Sequence, residues 1–306
     1  MRVLVTGGAG FIASHVVDGL IAEGYEVAVI DDLSTGVIGN VNSAAEFVEA
    51  DIRSDVALRF VADWKPDVLN HHAAQANIVK SREDAATDAE INIVGSLRVL
   101  KAFMEAGGRR FVFASSGAVY GDAAEIPTPW WYSANPLSPY GITKATFEMY
   151  LWSAKCLDGL RPVCLRYGNV YGPRQRMDGE SGVVGLFADA VLHGKPVALY
   201  GDGLATRDYV HVSDVVRANL IACEEDCTGW INIATGIETS TERILALVED
   251  AAGQEAATVR RAPLRPGEAK RVCLDIAGAS VVMGWVPQVN LSEGIKEVVE
   301  WVRTLG

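Results

Sequence analysis

Arg2-Val3-Leu4-Val5-Thr6-Gly7-Gly8-Ala9-Gly10-Phe11-Ile12-Ala13, followed by Glu26-Val27-Ala28-Val29-Ile30-Asp31-Asp32, sets the reading of this chain. Arg2 to Thr6 has the apolar density of a short buried strand. The glycines at 7, 8 and 10 break it, and a helical spacing of apolar residues follows through Val16, Leu20 and Ile21. Glu26 to Ile30 is a second apolar strand, and Asp31-Asp32 ends it. Strand, glycine turn, helix, strand, acid is the order that a dinucleotide-binding βαβ unit requires. Gly7 permits the tight turn. Gly10 lets the backbone approach a pyrophosphate at the helix N-terminus, where free N–H groups and the helix dipole favour an anion. Asp31 stands where a carboxylate accepts hydrogen bonds from ribose hydroxyls and repels a 2′-phosphate, so NAD is expected over NADP. Ala13 occupies the third-glycine position, where alanine is also accepted.

Outward from this unit the alternation continues. Strands are expected at 46–50, 67–71, 110–114 and 161–167, with a long helix over about 82–106 carrying Asn92 and Gly95. The strand from Arg110 delivers Ser115-Ser116 at its C-terminal end, which is where open parallel sheets bind ligands. A loop rich in proline and aromatics, Pro127 to Tyr132, leads to Ser138-Pro139, a cap and first-turn pair for the next helix. After Gly168 the pattern loosens. Helices are expected at about 183–192, 213–224, 240–252 and 292–304, and short strands near 197–200, 230–233 and 258–260. Thr239 and Glu242 have capping-box spacing, and Gly253 is a terminator. The pattern is α/β: a doubly wound, Rossmann-type parallel sheet over residues 1–168. A smaller mixed lobe spans 169–306, with some return of the chain to the large domain.

Composition agrees. The chain has 306 residues, 49% hydrophobic and 22% charged, as in a folded globular protein with a large core. No apolar run is long enough to span a bilayer, and the start lacks a cleavage site, so a cytoplasmic protein is expected. A net charge of −12 disfavours nucleic acid and anionic membranes as partners. The five cysteines, 156, 164, 223, 227 and 273, show no paired spacing, which suits reduced thiols. Cys223 and Cys227 share a helix face without a nearby histidine, so a structural role is expected and no metal.

Tyr140-Gly141-Ile142-Thr143-Lys144 carries the chemistry. Tyrosine and lysine four residues apart fall on one helical face. An ammonium near a phenol favours the phenolate, a proton acceptor whose proton Ser116 can share. Alone, the spacing is common and reads first as an exposed helical pair.

Several segments together resemble the extended short-chain dehydrogenase/reductase superfamily, and within it the UDP-glucose 4-epimerases and their nucleotide-sugar relatives. They are Thr6 to Ile12, Asp31 to Gly36, His71 to Gln75, Ser115 to Gly121, Tyr140 to Lys144, Arg166 to Gln175, Arg207 to Val212 and Arg265 to Glu268. The resemblance implies catalytic roles for Ser116, Tyr140 and Lys144. It implies an NAD site of Gly7, Gly10, Phe11, Ile12, Asp31, Asp32, Leu33, Ser34, Thr35, Gly36, Asp51 and Ile52, completed by His72, Ala73, Ala74, Asn92, Ala114, Tyr140, Lys144 and Tyr167. For the nucleotide sugar it implies Ser116, Asn169, Val183, Ala198, Tyr200, Arg207, Arg265 and Glu268. The arginines make sense as forked donors to phosphate. It also implies a homodimer, with the helices at about 82–106 and 139–157 pairing as a four-helix bundle.

The implied chemistry is inversion at C4 of a UDP-hexose by transient oxidation. Tyr140 takes the hydroxyl proton, the hydride goes to NAD⁺ and returns to the opposite face of the 4-keto sugar, and Lys144 lowers the Tyr140 pKa. Dehydratases of this kind carry an acid pair before the Tyr-Gly at 120–121, and decarboxylases a Glu. Gly117 and Ala118 are not acids, which favours simple epimerisation. Val272 falls at the position that limits hexose size, and Gly168 replaces a bulkier residue, so 2-acetamido sugars stay open, as do uronates. A non-catalytic NAD-binding regulator is the reading from a different class. His15 and His193 are expected to face solvent, His71 to support its strand end, and Trp130 to Tyr132 to cover the core.

Overall fold

The structure, a computed structural model, describes residues 1–178, 182–224, 227–263 and 269–306. In chain order the first half comprises β1 (Arg2–Thr6), α1 (Phe11–Ala22), β2 (Glu26–Asp31), β3 (Glu46–Glu49), α2 (Asp55–Trp64), β4 (Val68–His71), α3 (Ile78–Glu83), α4 (Ala85–Ala89), α5 (Ser96–Glu105), β5 (Arg110–Ser116), α6 (Pro139–Asp158) and β6 (Arg161–Tyr167). The second half comprises β7 (Asn169–Tyr171), α7 (Val183–Leu192), β8 (Val197–Tyr200), β9 (Thr206–His211), α8 (Val212–Glu224), β10 (Gly229–Ile233), β11 (Glu238–Ser240), α9 (Thr241–Ala252), β12 (Val259–Ala262), α10 (Ala277–Met283) and α11 (Leu291–Thr304).

Seven parallel strands form one sheet in the order β3-β2-β1-β4-β5-β6-β10. Side chains alternate between its faces. Val3, Val5, Val27 and Val29 pack on α1 and α8, while Leu4, Ala28, Ile30 and Phe111 pack on α2, α5 and α6. Both faces are covered, which is why these strands read as unbroken apolar runs. The strand order reverses between β1 and β4, so the loops leaving their C-terminal ends diverge and open a crevice.

The second half does two jobs. α7, α9, α11, β8 and Tyr171 share a separate core built on Phe187, Ile244, Val298 and Val299. β10 returns to the large sheet beside β6, with Ile233 opposite Tyr167, and α8 returns beside α1. Two small sheets, β11-β9-β7 and β12-β8, join the parts. β7, β9 and β11 are absent from the sequence reading because they are short and carry polar residues such as Asn169, Thr206 and Arg207.

The long helix expected over 82–106 is a broken column. Asp84 ends α3 and caps α4 by accepting from Thr87 N at 2.9 Å. A wide π-helical turn, Glu90–Gly95, then leads into α5. Gly95 fits there because a Cβ would lie 3.0 Å from Arg53 Cγ and 3.1 Å from Ile52 Cδ1. The cap of α9 also shifts by one residue: Ser240 accepts from Arg243 N, and Thr239 belongs to β11, opposite Arg207. Gly253 ends α9 in the left-handed region, as expected.

Candidate active site

A cavity of about 810 Å³ lies between the C-terminal ends of the large sheet and the second lobe. Ser116 reaches it because β5 ends there, and Gly117–Tyr120 turns the chain away. Tyr140 reaches it from the first turn of α6, whose Ser138 cap accepts from Gly141 N at 3.2 Å. Gly141 has a packing reason: a Cβ would lie 2.8 Å from Ala118 O, so the helix start rests directly on the Ser116 turn. Ser116 Oγ accepts from Ala118 N at 3.1 Å and acts to lower the Tyr140 phenol pKa.

Lys144 is buried one turn below. Its Nζ donates to Ala114 O at 2.7 Å and lies 5.7 Å from the centre of the Tyr140 ring. Burial pushes the lysine down to about 8, against the upward pull of Asp88 and Glu148. The Tyr140 phenol is pushed up to about 12, first by burial and then by Asp88, with the Ser116 hydrogen bond opposing. The expectation that Lys144 lowers the phenol is therefore not met by the chain's own electrostatics. Burial outweighs the lowering by Ser116, and the Lys144 ammonium is engaged by a carbonyl with two carboxylates near it. The ring is half-buried and keeps some surface toward the cavity, which tempers the upward push.

Two polar clusters escaped the sequence reading. Glu148 continues the Tyr140–Lys144 face by one more turn. It accepts from Ser115 Oγ at 2.5 Å and from Arg166 Nε and Nη2 at 3.0 and 2.6 Å, and all three residues are buried. Arg166 also donates to Tyr120 Oη at 2.9 Å. Asp88, buried on α4, accepts from Gln75 Nε2 at 2.8 Å, Thr143 Oγ1 at 3.0 Å and Asn92 Nδ2 at 3.1 Å. Asn92 Oδ1 accepts from Gln75 N at 2.8 Å, so the polar atoms of Asn92 are engaged with this cluster. A run of buried polar residues separated by helical spacings was the available signal.

At the crevice between β1 and β4 the glycine turn has the geometry the sequence requires. Gly7 has φ +73°, and a Cβ there would lie 2.7 Å from Ala73 N and 3.1 Å from the His72 carbonyl carbon. Gly10 precedes α1, and no side chain caps that end. Asp31 accepts from Ala9 N at 3.0 Å and Leu33 N at 2.8 Å, tying the glycine turn to the end of β2. Asp32 Oδ1 accepts from Ser34 N and Oγ. Thr35 O accepts from Arg176 Nη1 at 3.1 Å, and Gly36 packs on Asp31, where a Cβ would lie 2.8 Å from Oδ1. Asp51 pairs with Arg53, whose guanidinium holds its carboxyl below the usual range. Ile52 is buried against α2 and α5. His72 stacks on Tyr167 and shares a 3.2 Å hydrogen bond with its hydroxyl. His71 is buried between Thr6 Oγ1 and Ser96 Oγ, at 2.7 and 2.8 Å, and supports the strand end as expected.

Phe11, Ile12, Ser116, Tyr140, Tyr167, Asn169, Val183, Ala198, Tyr200 and Arg207 all line the cavity. Arg265 and Glu268 lie outside the described residues. Arg207 is positioned by its neighbour: Asp208 is buried and accepts from Thr235 N, Gly236 N and Leu274 N, pinning β9 to the loops beside it. Val272 reaches the cavity wall. Gly168 does not act by widening the site, because a Cβ there would lie 2.7 Å from Asp208 O; the close backbone of β9 demands the glycine. Gln175, buried at the cavity, donates from Nε2 to Val170 O at 3.0 Å and fills the space a Cβ on Gly182 would need. His193 is exposed, but His15 is part-buried and bonded to Pro173 O at 2.9 Å, because the 172–176 loop folds over α1.

The family model described as the NAD dependent epimerase/dehydratase family matches residues 3–234. The chain belongs to the NAD-dependent epimerase/dehydratase family. It is 42% identical to a UDP-glucose 4-epimerase of Mycolicibacterium smegmatis, over 99% of each chain. It superposes on a UDP-glucose 4-epimerase from Thermotoga maritima, solved with UDP-glucose, with a TM-score of 0.97 and 42% identity over 100% of this chain and 99% of that one. A Thermus thermophilus UDP-glucose 4-epimerase in complex with NAD gives a TM-score of 0.94 and 43% identity over 99% of each chain. NAD is the cofactor of this epimerase/dehydratase family member. Its turn fits the group: Gly7 and Gly10 leave the close approach that a pyrophosphate needs, the α1 end is uncapped, and the Asp31 carboxylate disfavours a 2′-phosphate. Among the described residues no helix is long and apolar enough to cross a membrane.

Proposed function

We propose that this enzyme is a UDP-hexose 4-epimerase, with UDP-glucose and UDP-galactose as its preferred pair. The observation that carries this reading is the cavity wall beside Tyr140. Gly117 and Ala118 line it where dehydratases and decarboxylases of this kind carry acids. Asp189 is the one carboxylate among the described lining residues, and it is engaged by Lys195 at 2.8 Å and His193 at 3.0 Å. Among the described lining residues a keto sugar held here meets no ready acid or base for elimination, which favours return of the hydride. The UDP-glucose held by the Thermotoga relative supports the sugar assignment.

Bound NAD⁺ supplies the hydride acceptor and a positive charge beside the phenol. The chain supplies the rest. Tyr140 takes the 4-hydroxyl proton, and Ser116 donates its hydrogen bond to the resulting phenolate. Lys144 anchors the helix face to β5 and keeps an ammonium under the ring. Asn169 and Arg207 grip the diphosphate at the far end, leaving the hexose free to turn. In this division residues 1–168 hold the dinucleotide and 169–306 mainly the nucleotide sugar. Two copies pair through α6, whose Ile142, Met149, Tyr150 and Leu157 are exposed at helical spacing. A second reading, a UDP-N-acetylhexosamine 4-epimerase, draws on the small Val272 at the cavity wall.

Product NMR on a panel of UDP-hexoses decides between them. Interconversion of UDP-glucose and UDP-galactose is expected, and a product lacking water or carbon dioxide sinks the proposal. Tyr140→Phe lowers turnover by roughly 10²–10⁴-fold while its NAD content, read from absorbance, stays unchanged.

A further inference from the structure

Asp88 touches neither the cavity nor the glycine turn, yet it is among the least exposed carboxylates of the chain, at 1%. A charge in that position needs compensation. Among the described residues its side-chain hydrogen bonds come from neutral groups only: the Gln75 amide, the Asn92 amide and the Thr143 hydroxyl. Thr143 Oγ1 also lies 2.9 Å from Tyr140 O, so the carboxylate grips the first turn of α6 between the tyrosine and the lysine. The nearby positive charge is the Lys144 ammonium, which donates to the Ala114 carbonyl.

We propose that Asp88 is a positioning residue for catalysis: through Thr143, the chain neighbour of Lys144, it clamps the helix turn that carries Tyr140 and sets a buried negative charge beside the Tyr140–Lys144 pair. The inference rests on the reading that Tyr140 and Lys144 perform the proton transfer. The charged and titratable groups facing Lys144 are Asp88 from α4, Glu148 and Tyr140 from α6, and His71 and His72 from the end of β4. Burial holds both histidines neutral, down to about 3, and Glu148 is bound by Arg166. Asp88 is then the negative charge left to act on the pair. It pulls the lysine up and raises the phenol too, because a buried anion opposes loss of any nearby proton.

The sign of the test follows. Asp88→Asn removes the charge and keeps the shape, so both groups release their protons more readily. The whole pH–rate profile slides toward acid by about one unit, as expected for one buried charge. The variant becomes relatively more active on the acid side and less active on the alkaline side, which damage to packing alone does not do. Thr143→Val leaves the charge and breaks the clamp, so kcat falls without a shift of the profile. ¹⁵N NMR titration of the Lys144 ammonium, in lysine-labelled protein without substrate, gives a readout that needs no turnover. The Lys144 midpoint in Asp88→Asn is expected below the wild-type value. An unmoved midpoint and an unmoved profile overturn the inference, even if turnover confirms the epimerase reading. If Asp88→Asn does not fold, Asp88→Glu replaces it: the retained charge must leave the midpoint near wild type, and a large fall overturns the role of the buried charge.

Discussion

Tyr140 and Lys144 show how far a motif can be trusted. Their spacing is common, and the distance between them is what a helix imposes on any such pair. What distinguishes them is their surroundings: a serine hydroxyl that favours the phenolate, a carbonyl under the ammonium, and two buried carboxylates nearby. His71 makes a separate point about stability. Both its nitrogens are bonded within the core, and burial pushes it down to about 3. Between that value and about 6.5 the unfolded chain binds a proton at this residue that the folded chain does not. Stability conferred by the neutral imidazole is therefore lost as pH falls through this window, by about 1.4 kcal/mol per pH unit. Urea unfolding between pH 6.5 and 4.5 is expected to show a shallower pH slope for His71→Gln than for wild type, and equal slopes refute it.

The elements that hold the site are fixed to one another by polar pegs rather than by apolar contact alone. α6 is tied to β6 by the buried Glu148–Arg166 pair, and Ser115 and Tyr120 complete the network. Removing one partner leaves the other charge buried, which costs about 3–5 kcal/mol. Glu148→Gln is expected to lower urea-derived stability by that order, with Ser116 and Tyr140 losing their relative placement. A change under about 1 kcal/mol would mean water reaches Arg166. The broken column α3–α4–π turn–α5 belongs here as well. Its polar breaks at Asp84 and Asn92 interrupt a pattern that reads as one helix, because a long apolar periodicity does not register a change of turn width. The same turn brings Asp88 and Asn92 under α6.

In the whole molecule, the second half of the chain completes the first. β10 adds the seventh strand beside β6, α8 covers the face of the sheet next to α1, and the cavity exists because β7 and β9 bring Asn169 and Arg207 opposite Tyr140. The proposed dimer is decided at this level too. Met149 and Leu157 are 71% and 79% exposed, two turns apart on α6, and an exposed apolar stripe of this kind is unusual on a lone surface helix. Met149→Glu is expected to convert dimers to monomers in light scattering at micromolar concentration. A wild type that is already monomeric removes the bundle.

The dinucleotide unit, the strand ends bearing Ser116, and the Tyr140–Lys144 face were all legible in sequence, because each depends on local order: apolar runs, a glycine turn, a helical spacing. Legibility failed where function depends on segments that meet only in space. Asp88, Gln75, Asn92 and Thr143 come from three separate stretches; the helical spacing of Asp88 and Asn92 marks one part of the cluster, and nothing along the chain joins it to the other two. Gly168 looked like space for a larger sugar until Asp208 O proved to occupy it. The fold class and the candidate site residues were thus written in local patterns, since backbone propensity and burial period act over a few residues. The charge environment of Tyr140 and Lys144 was decided by tertiary structure alone, since desolvation and Coulomb interactions depend on distance through space and not along the chain.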